Sequence, residues 1–165
     1  MTLKLFQYQK LMEILSTTTD EDVMVDEFLQ IFNKTKSDIS QKEILDLISS
    51  VKNFKKVSIG KYIRVKNKIF IIQTDLLYDT ASNYAAFENI LLTNKDNPTP
   101  ALHYIIAIYL RPLFGKYNMD KIAKYIQKNM DNNTAQSLYF FLSKKERKLF
   151  YNMRTYLLKQ SLMTT

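Results

Sequence analysis

The single histidine, His103, is the first residue whose type could carry chemistry, because an imidazole can act as a general base near neutral pH. It lies between Leu102 and Tyr104 in the most apolar segment of the chain. A general base needs an oriented partner, and no Ser, Asp or Glu stands in a recognisable relation to it. The sequence therefore favours a partly buried histidine that is hydrogen-bonded to backbone or to a tyrosine. We expect no catalytic residue and no enzymatic activity.

A second group of side chains is acidic and has the ligand type that a hard cation takes. Its members are Asp20, Glu21, Asp22, Asp26 and Glu27. A calcium loop needs a glycine at its sharp turn and a closing Glu, and this stretch contains no glycine. The helix dipole favours acidic residues in a first turn, so we expect Asp20 to cap a helix and no metal to bind. The chain has no cysteine and one histidine, so metal sites built from thiolates or from several histidines are excluded within one chain. No cofactor is expected.

A third group is basic and lies on two predicted helices in the C-terminal part of the chain. It comprises Lys121, Lys124, Lys128, Lys144, Lys145, Arg147 and Lys148. The first three recur at helical spacing, and tyrosines are interspersed along the same segment. Basic residues interleaved with aromatics can follow a phosphate backbone and stack on bases; the alternative is a solvated face above a tyrosine-rich core. Nucleic-acid binding stays an alternative, since Arg is sparse and no named nucleic-acid motif occurs.

The charge of the 165-residue chain, +8 in total, is divided unevenly. Residues 1–53 hold 6 Lys and 9 Asp and Glu, a net of −3, whereas residues 54–165 hold 18 Lys and Arg and 7 Asp and Glu, a net of +11. A basic half suits nucleic acid, an acidic protein or solubility alone. The longest stretch without a charge has 14 residues, fewer than the ~20 apolar residues of a spanning helix. We expect no membrane partner.

The elements that position these groups are predicted to be mostly helical, because the chain has only two glycines and three prolines and therefore few turn signals. We expect a mainly α fold, a single domain of about seven helices with a small β-hairpin near 61–72. Helices are predicted over 3–15, from Asp20 to near Asn33, from Ser40 with Glu43 in a capping box to about 51, and over 78–93 and 100–110. Three more are predicted over 119–129 with Asn118 as its cap, over 135–143 with Asn133 or Thr134 as its cap, and over 144–162. The domain, 1–165, then has an acidic helical part (1–53), a hairpin insert (54–74) and a basic helical part (78–163).

The hairpin and the end of the apolar helix carry two further expectations. Strands over 61–65 and 68–72 are joined by Lys66-Asn67, where Asn67 tolerates a positive φ. Two strands alone are marginal in water, so the hairpin must pack on helices or pair with another edge. Its edge can accept a partner strand, unless its cations blunt it. Arg111 and Pro112 form a candidate structural motif, in which Pro112 ends the helix and Arg111 satisfies terminal carbonyls.

The order of these elements resembles that of small tailed-bacteriophage proteins described as tail-assembly chaperones, baseplate-hub assembly proteins or virion proteins. The motifs that carry the resemblance are Gln7-Tyr8-Gln9, the Ser40 to Glu43 cap, the basic hairpin Lys61 to Ile72, Ala107-Ile-Tyr-Leu-Arg-Pro112 and Gly115-Lys-Tyr-Asn-Met-Asp120. The abundance of Lys, Asn, Ile and Tyr is similar to that of phages of AT-rich hosts, such as the crAss-like group.

The resemblance implies a non-catalytic structural or assembly protein that docks onto other phage structural proteins. It implies residence in the host cytoplasm during assembly, with the finished virion and oligomerisation within an assembly left open. One alternative is a basic accessory protein that is packaged with phage DNA or acts on it. A second alternative is a host-takeover regulatory protein.

Overall fold

The computed structural model describes residues 3–40, 42–43, 45–46, 49, 54–73, 89–90, 92–94 and 97–144. Its helices are α1 (Leu5–Thr17), α2 (Glu21–Ile31), α3 (Leu102–Tyr109), α4 (Met119–Asn129) and α5 (132–144), with a short 3-10 turn over Lys36–Asp38. Its strands are β1 (Tyr62–Val65), β2 (Lys68–Ile72) and β3 (Leu110–Pro112). The strands form one antiparallel sheet in the order β1-β2-β3.

The prediction of about seven helices is wrong, because the structure has five helices beside the sheet where it is described. One reason lies in α5. The sequence analysis broke the chain between 143 and 144, yet the helix runs from 132 through Ser143 to residue 144, since neither Gly nor Pro interrupts it. The predicted helices over 40–51, 78–93 and 144–162 lie largely outside the described residues.

The helix caps follow local sequence signals. The Asp20 carboxylate accepts hydrogen bonds from the backbone N–H groups of Asp22 (2.9 Å) and Val23 (3.2 Å) at the start of α2. Asn118 Oδ1 accepts from the Lys121 N–H at 2.9 Å and begins α4. Both caps are therefore confirmed. The cap of α5 was predicted at Asn133 or Thr134, but Asp131 provides it.

Asp131 is a stronger cap because its carboxylate binds two donors at once. Oδ1 accepts from the Thr134 N–H at 2.9 Å and Oδ2 accepts from the Thr134 hydroxyl at 2.6 Å. The same turn anchors the N-terminal segment of the chain. The Leu5 N–H donates to the Met130 carbonyl at 2.9 Å, and the Asn132 N–H donates to the Leu3 carbonyl at 2.8 Å. Helix α1 is thereby tied to the basic half.

Helix α3 is the centre of the core, as its uniformly apolar sequence predicted. Seven of its eight residues are buried, which a helix can be only when other elements pack on all its sides. Helix α4 packs against it through Ile122, Ala123 and Ile126. The inner face of the sheet contributes Phe70 and Val65 to the same core.

The sheet has a third strand that the sequence analysis did not predict. The chain leaves α3 at Tyr109 and pairs at once with β2, with Leu110 opposite Ile72 and Pro112 opposite Phe70. Pro112 disfavours helix at the residue before it, so the end of the helix releases this segment for strand pairing. The hairpin is therefore part of the core. In its turn the positive φ of 52° falls on Lys66, whereas the prediction placed it on Asn67.

Candidate functional site

The outer face of the sheet carries large apolar side chains in the open. We use the name outer face for Tyr62, Arg64, Ile69, Ile71 and Arg111, the strand residues that point away from the core. Strand register places Tyr62, Ile71 and Arg111 in one row across all three strands. Tyr62 is 56% exposed and Ile69 is 40% exposed. Large exposed side chains on a face that no other described element covers are typical of an interaction site.

The loop after β3 extends this apolar surface. The Leu113 N–H donates to the Ile69 carbonyl at 3.0 Å, so the loop continues the pairing past the end of the strand. Leu113 is exposed, and Phe114 beside it is 83% exposed. Gly115 then turns the chain with a φ of 98°, a conformation that L side chains rarely adopt. The turn leaves the Phe114 ring presented to solvent in the loop that follows β3.

The two segments that build the sheet and α3 carry charges of a single sign. Residues 54–73 and 97–119, which build the sheet and α3, contain eight Lys and Arg and no Asp or Glu. Lys61 Nζ lies 5.8 Å from the Tyr62 ring centroid. The Arg111 guanidinium lies 3.9 Å from the Tyr117 ring centroid and donates to the Ile108 carbonyl in the last turn of α3. The arrangement is suited to contact with an acidic and partly apolar surface.

The predicted basic patch is not one surface in the residues that the structure describes. Lys121, Lys124 and Lys128 are exposed on α4, and we call these three the basic stripe. Lys144 is exposed at the end of α5, where it lines a different cleft of about 480 Å³ with Phe54 and Phe140. Lys145, Arg147 and Lys148 lie outside the described residues.

Tyr125 joins the basic stripe to the hairpin. Its hydroxyl donates to Asn67 Oδ1 at 2.6 Å and to the Val65 carbonyl at 3.1 Å. Its ring lies 6.2 Å from the Phe70 ring, and Lys68 Nζ lies 4.4 Å from its centroid. Tyr125 is thus engaged along its ring and at its hydroxyl. It serves as a strut between α4 and the hairpin turn rather than as a free stacking platform.

His103 is a structural histidine in this arrangement. It is 8% exposed, and Gln9 Nε2 lies 3.1 Å from its Nδ1. Gln9 Nε2 also donates to the Thr99 carbonyl at 2.8 Å, and Gln9 Oε1 accepts from Gln127 Nε2 at 3.0 Å. Burial lowers the pKa of His103 below its ordinary value of 6.5, so the ring is neutral near pH 7. The partner is a glutamine rather than backbone or a tyrosine, although the Tyr104 ring lies 4.5 Å away.

The two glutamines were missed by the sequence analysis, which had no local signal for them. Gln9 lies on α1 and Gln127 lies on α4, and the two residues are 118 positions apart in the chain. They also line a cleft of about 550 Å³ between α1 and the 97–100 segment. The two amides offer neither a nucleophile nor a titratable group. Lys10, Glu13 and Ser16 line the same cleft, and the Ser16 hydroxyl donates to the Glu13 carbonyl at 2.8 Å.

The acidic group is arranged as a helix start. Lys36 Nζ lies 3.3 Å from both Asp22 Oδ1 and Asp26 Oδ1. The hydrogen bond with Asp26 is the main cause that raises the pKa of Lys36 above 10.5. Across the described ranges no group of three or more His, Cys, Asp and Glu side chains could hold a metal ion.

Comparison with known proteins leaves the function to be argued from this geometry. No family model matches the chain, and no curated protein or solved structure matches it at a significant level. The resemblance to tailed-phage proteins therefore stays a prediction. Within the part of the chain that is described, no helix is both long and apolar enough to cross a bilayer.

Proposed function

We propose that this chain is a non-catalytic structural or assembly protein of a tailed phage, and that it docks onto another virion protein through the outer face of its sheet. The observation that carries the docking proposal is the exposure of Tyr62 and Ile69 on the outer face and of Phe114 in the loop after β3, all in segments that hold no acidic residue. Aromatic side chains and Arg are enriched where proteins meet, and a few of them supply most of the binding energy. The phage setting comes from the order of elements and the short motifs of the sequence.

The surroundings of the chemistry-bearing residues support a role without catalysis. Among the described residues, His103 is held by Gln9 and has no carboxylate or hydroxyl as a hydrogen-bond partner. Asp20 accepts from backbone N–H groups at the start of α2, and Asp22 and Asp26 bind Lys36. Each of these groups has a stabilising role, which does not explain the exposure of the large side chains on the outer face.

A basic nucleic-acid-binding protein is the second candidate, and the basic stripe is the observation that favours it. Three lysines on one face of α4 can neutralise phosphates without reading bases. The position of Tyr125 speaks against base stacking, because its hydroxyl and ring are bound to the hairpin. We therefore rank protein docking above nucleic-acid binding.

The test of the proposal compares two exposed phenylalanines. The variant Phe114→Ser removes an aromatic from the outer face, and Phe140→Ser removes one that is 57% exposed on α5. Quantitative mass spectrometry of particles and assembly intermediates should find the wild-type chain in a fixed ratio to other virion proteins. Incorporation of Phe114→Ser should fall about tenfold or more, while Phe140→Ser should incorporate normally. Absence of the chain from both preparations, or equal incorporation of both variants, contradicts the proposal.

A salt titration tests the second candidate separately. Binding of the protein to random duplex and single-stranded DNA is measured from low to physiological salt. Phosphate contacts by the basic stripe predict an affinity that falls steeply with salt and that Lys124→Gln weakens. An absence of binding at low salt removes the nucleic-acid alternative.

A further inference from the structure

We propose that the open edge of β1 takes up an extended acidic segment of the partner protein as a fourth strand. This inference rests on the proposed docking function and names the chemistry of the partner. It concerns the edge of the sheet, whereas the proposed function concerns its outer face.

The hydrogen-bond register identifies which edge is open. The Ile72 N–H donates to the Lys61 carbonyl at 2.9 Å, and pairs that exchange hydrogen bonds alternate along an antiparallel ladder. The backbone groups of Tyr62 and Arg64 therefore point away from β2. No hydrogen bond to these groups is found in the described structure. Strand β2 is closed on both sides by β1 and β3.

The other outer strand is a poorer acceptor. Strand β3 has only three residues, Leu110–Pro112, and Pro112 has no N–H to donate. Strand β1 has four residues and no proline. A segment that adds to this sheet finds a regular donor and acceptor array at β1 alone among the described strands.

A cleft beside this edge provides room for an added segment. It has a volume of about 350 Å³ and lies between β1 and the turn that follows α4. Arg64, Val65 and Lys66 line one side of the cleft, and Lys4 and Met130 line the other. Val65 and Met130 contribute apolar atoms to the lining of the cleft, and Lys4, Arg64 and Lys66 contribute three cations.

The charge of the cleft selects an acidic segment. Arg64 Nε donates to the Lys66 carbonyl at 3.1 Å, which orients the guanidinium and leaves its terminal nitrogens for an incoming carboxylate. Asp131 is the one acidic lining residue, and both its oxygens already bind Thr134. Three cations therefore face one carboxylate that is already hydrogen-bonded.

The same cations decide against a second copy of this chain as the occupant. Charged side chains on an exposed edge keep like edges from pairing. Two copies of β1 would bring Arg64 and its flanking lysines together, and like charges that face each other across a strand pair are destabilising. An acidic strand turns that repulsion into attraction. Main-chain hydrogen bonds supply affinity in this binding mode, and side chains supply specificity.

The experiment pans the full chain against a yeast-displayed library of random octapeptides. We expect enrichment of sequences in which Asp or Glu alternates with apolar residues. The affinity of an enriched synthetic peptide should fall about tenfold for Arg64→Glu and for Tyr62→Pro. Tyr62→Pro removes one edge N–H without changing charge, and proline is tolerated on such an edge. Tyr62→Ala removes the same ring but keeps the N–H, so its affinity should exceed that of Tyr62→Pro by about threefold or more. Lys121→Glu makes the same charge change on α4 and should alter the affinity by less than about threefold.

Circular dichroism of each variant establishes that it is folded, and Arg64→Glu carries the test if Tyr62→Pro does not fold. In the complex, the amide protons of Tyr62 and Arg64 should exchange with solvent more slowly by about tenfold or more. The inference is overturned if no acidic sequence is enriched, or if binding survives Arg64→Glu unchanged. Incorporation of the chain into particles with the Phe114→Ser defect would then still support the proposed docking function, so the two failures are distinguishable.

Discussion

The acidic N-terminal region and the sheet carry their charges in opposite ways. In the acidic region Lys36 bridges Asp22 and Asp26, and Glu43 accepts hydrogen bonds from the Ser40 N–H and hydroxyl, which lower the pKa of the Glu43 carboxyl. The segments 54–73 and 97–119, which build the sheet and α3, hold eight cations and no acidic residue. Charges of the first kind are satisfied by partners in the same region, whereas those of the second kind attract a partner of opposite charge.

The two regions differ equally in how they bury aromatic side chains. Phe70 on β2 is fully buried beneath the sheet. Phe28 on α2 is only half-buried and packs against Phe32 with the ring centroids 5.5 Å apart. The sheet and α3 therefore form the stable centre of the molecule, and α2 is a peripheral element.

The largest expected effect comes from deleting one aromatic in each region. Phe70→Ala should lower the free energy of unfolding by about 3–5 kcal/mol, because it leaves a cavity in the core. Phe28→Ala should lower it by about 1 kcal/mol, since the side chain is partly solvated already. Urea denaturation followed by circular dichroism measures both values. Equal losses would contradict the division into a central and a peripheral region.

Local signals explain which parts of this architecture the sequence predicted. Asp20, Asn118 and the Ser40–Glu43 capping box were readable because a cap acts within three residues of itself. The hairpin was readable from its β-branched strands. The third strand was not, because Leu110 continues the apolar pattern of α3 and only pairing with β2 reveals its conformation.

The candidate site was less readable than the fold. Nothing in the sequence separates Ile69, which is exposed, from Phe70, which is buried, until the strand is placed against α3. The partner of His103 was equally hidden, since Gln9 lies 94 residues away. Exposure and long-range hydrogen bonds are properties of tertiary packing, which period and composition do not encode residue by residue.

An effect of intermediate size is expected in the pH dependence of the unfolding free energy, and it arises from His103 in the core. Because burial lowers the pKa of folded His103, the unfolded chain takes up this proton first as the pH falls below 6.5. The contribution of neutral His103 to the unfolding free energy is therefore fully present above pH 6.5. It is lost on acidification, by at most about 1.4 kcal/mol per pH unit, until His103 of the folded state is protonated too.

The measurement compares the unfolding free energy of wild type and His103→Asn between pH 7 and pH 5. Asparagine keeps an acceptor for Gln9 but does not titrate. The difference between the two proteins should change with pH, with wild type losing more stability on acidification. Parallel curves would assign the pH response to the acidic region instead.

The smallest expected effect compares the two confirmed caps. Asp20 accepts from two N–H groups with a charged oxygen, whereas Asn118 accepts from one with a neutral oxygen. Asp20→Ala should therefore lower the unfolding free energy by about 1–2 kcal/mol and Asn118→Ala by about 0.5–1 kcal/mol. Asp20→Asn keeps the cap without the charge and should recover most of the loss. If Asp20→Asn were as destabilising as Asp20→Ala, the carboxylate would act at the start of α2 through its charge alone, and the hydrogen bonds that place it among locally satisfied groups would contribute nothing.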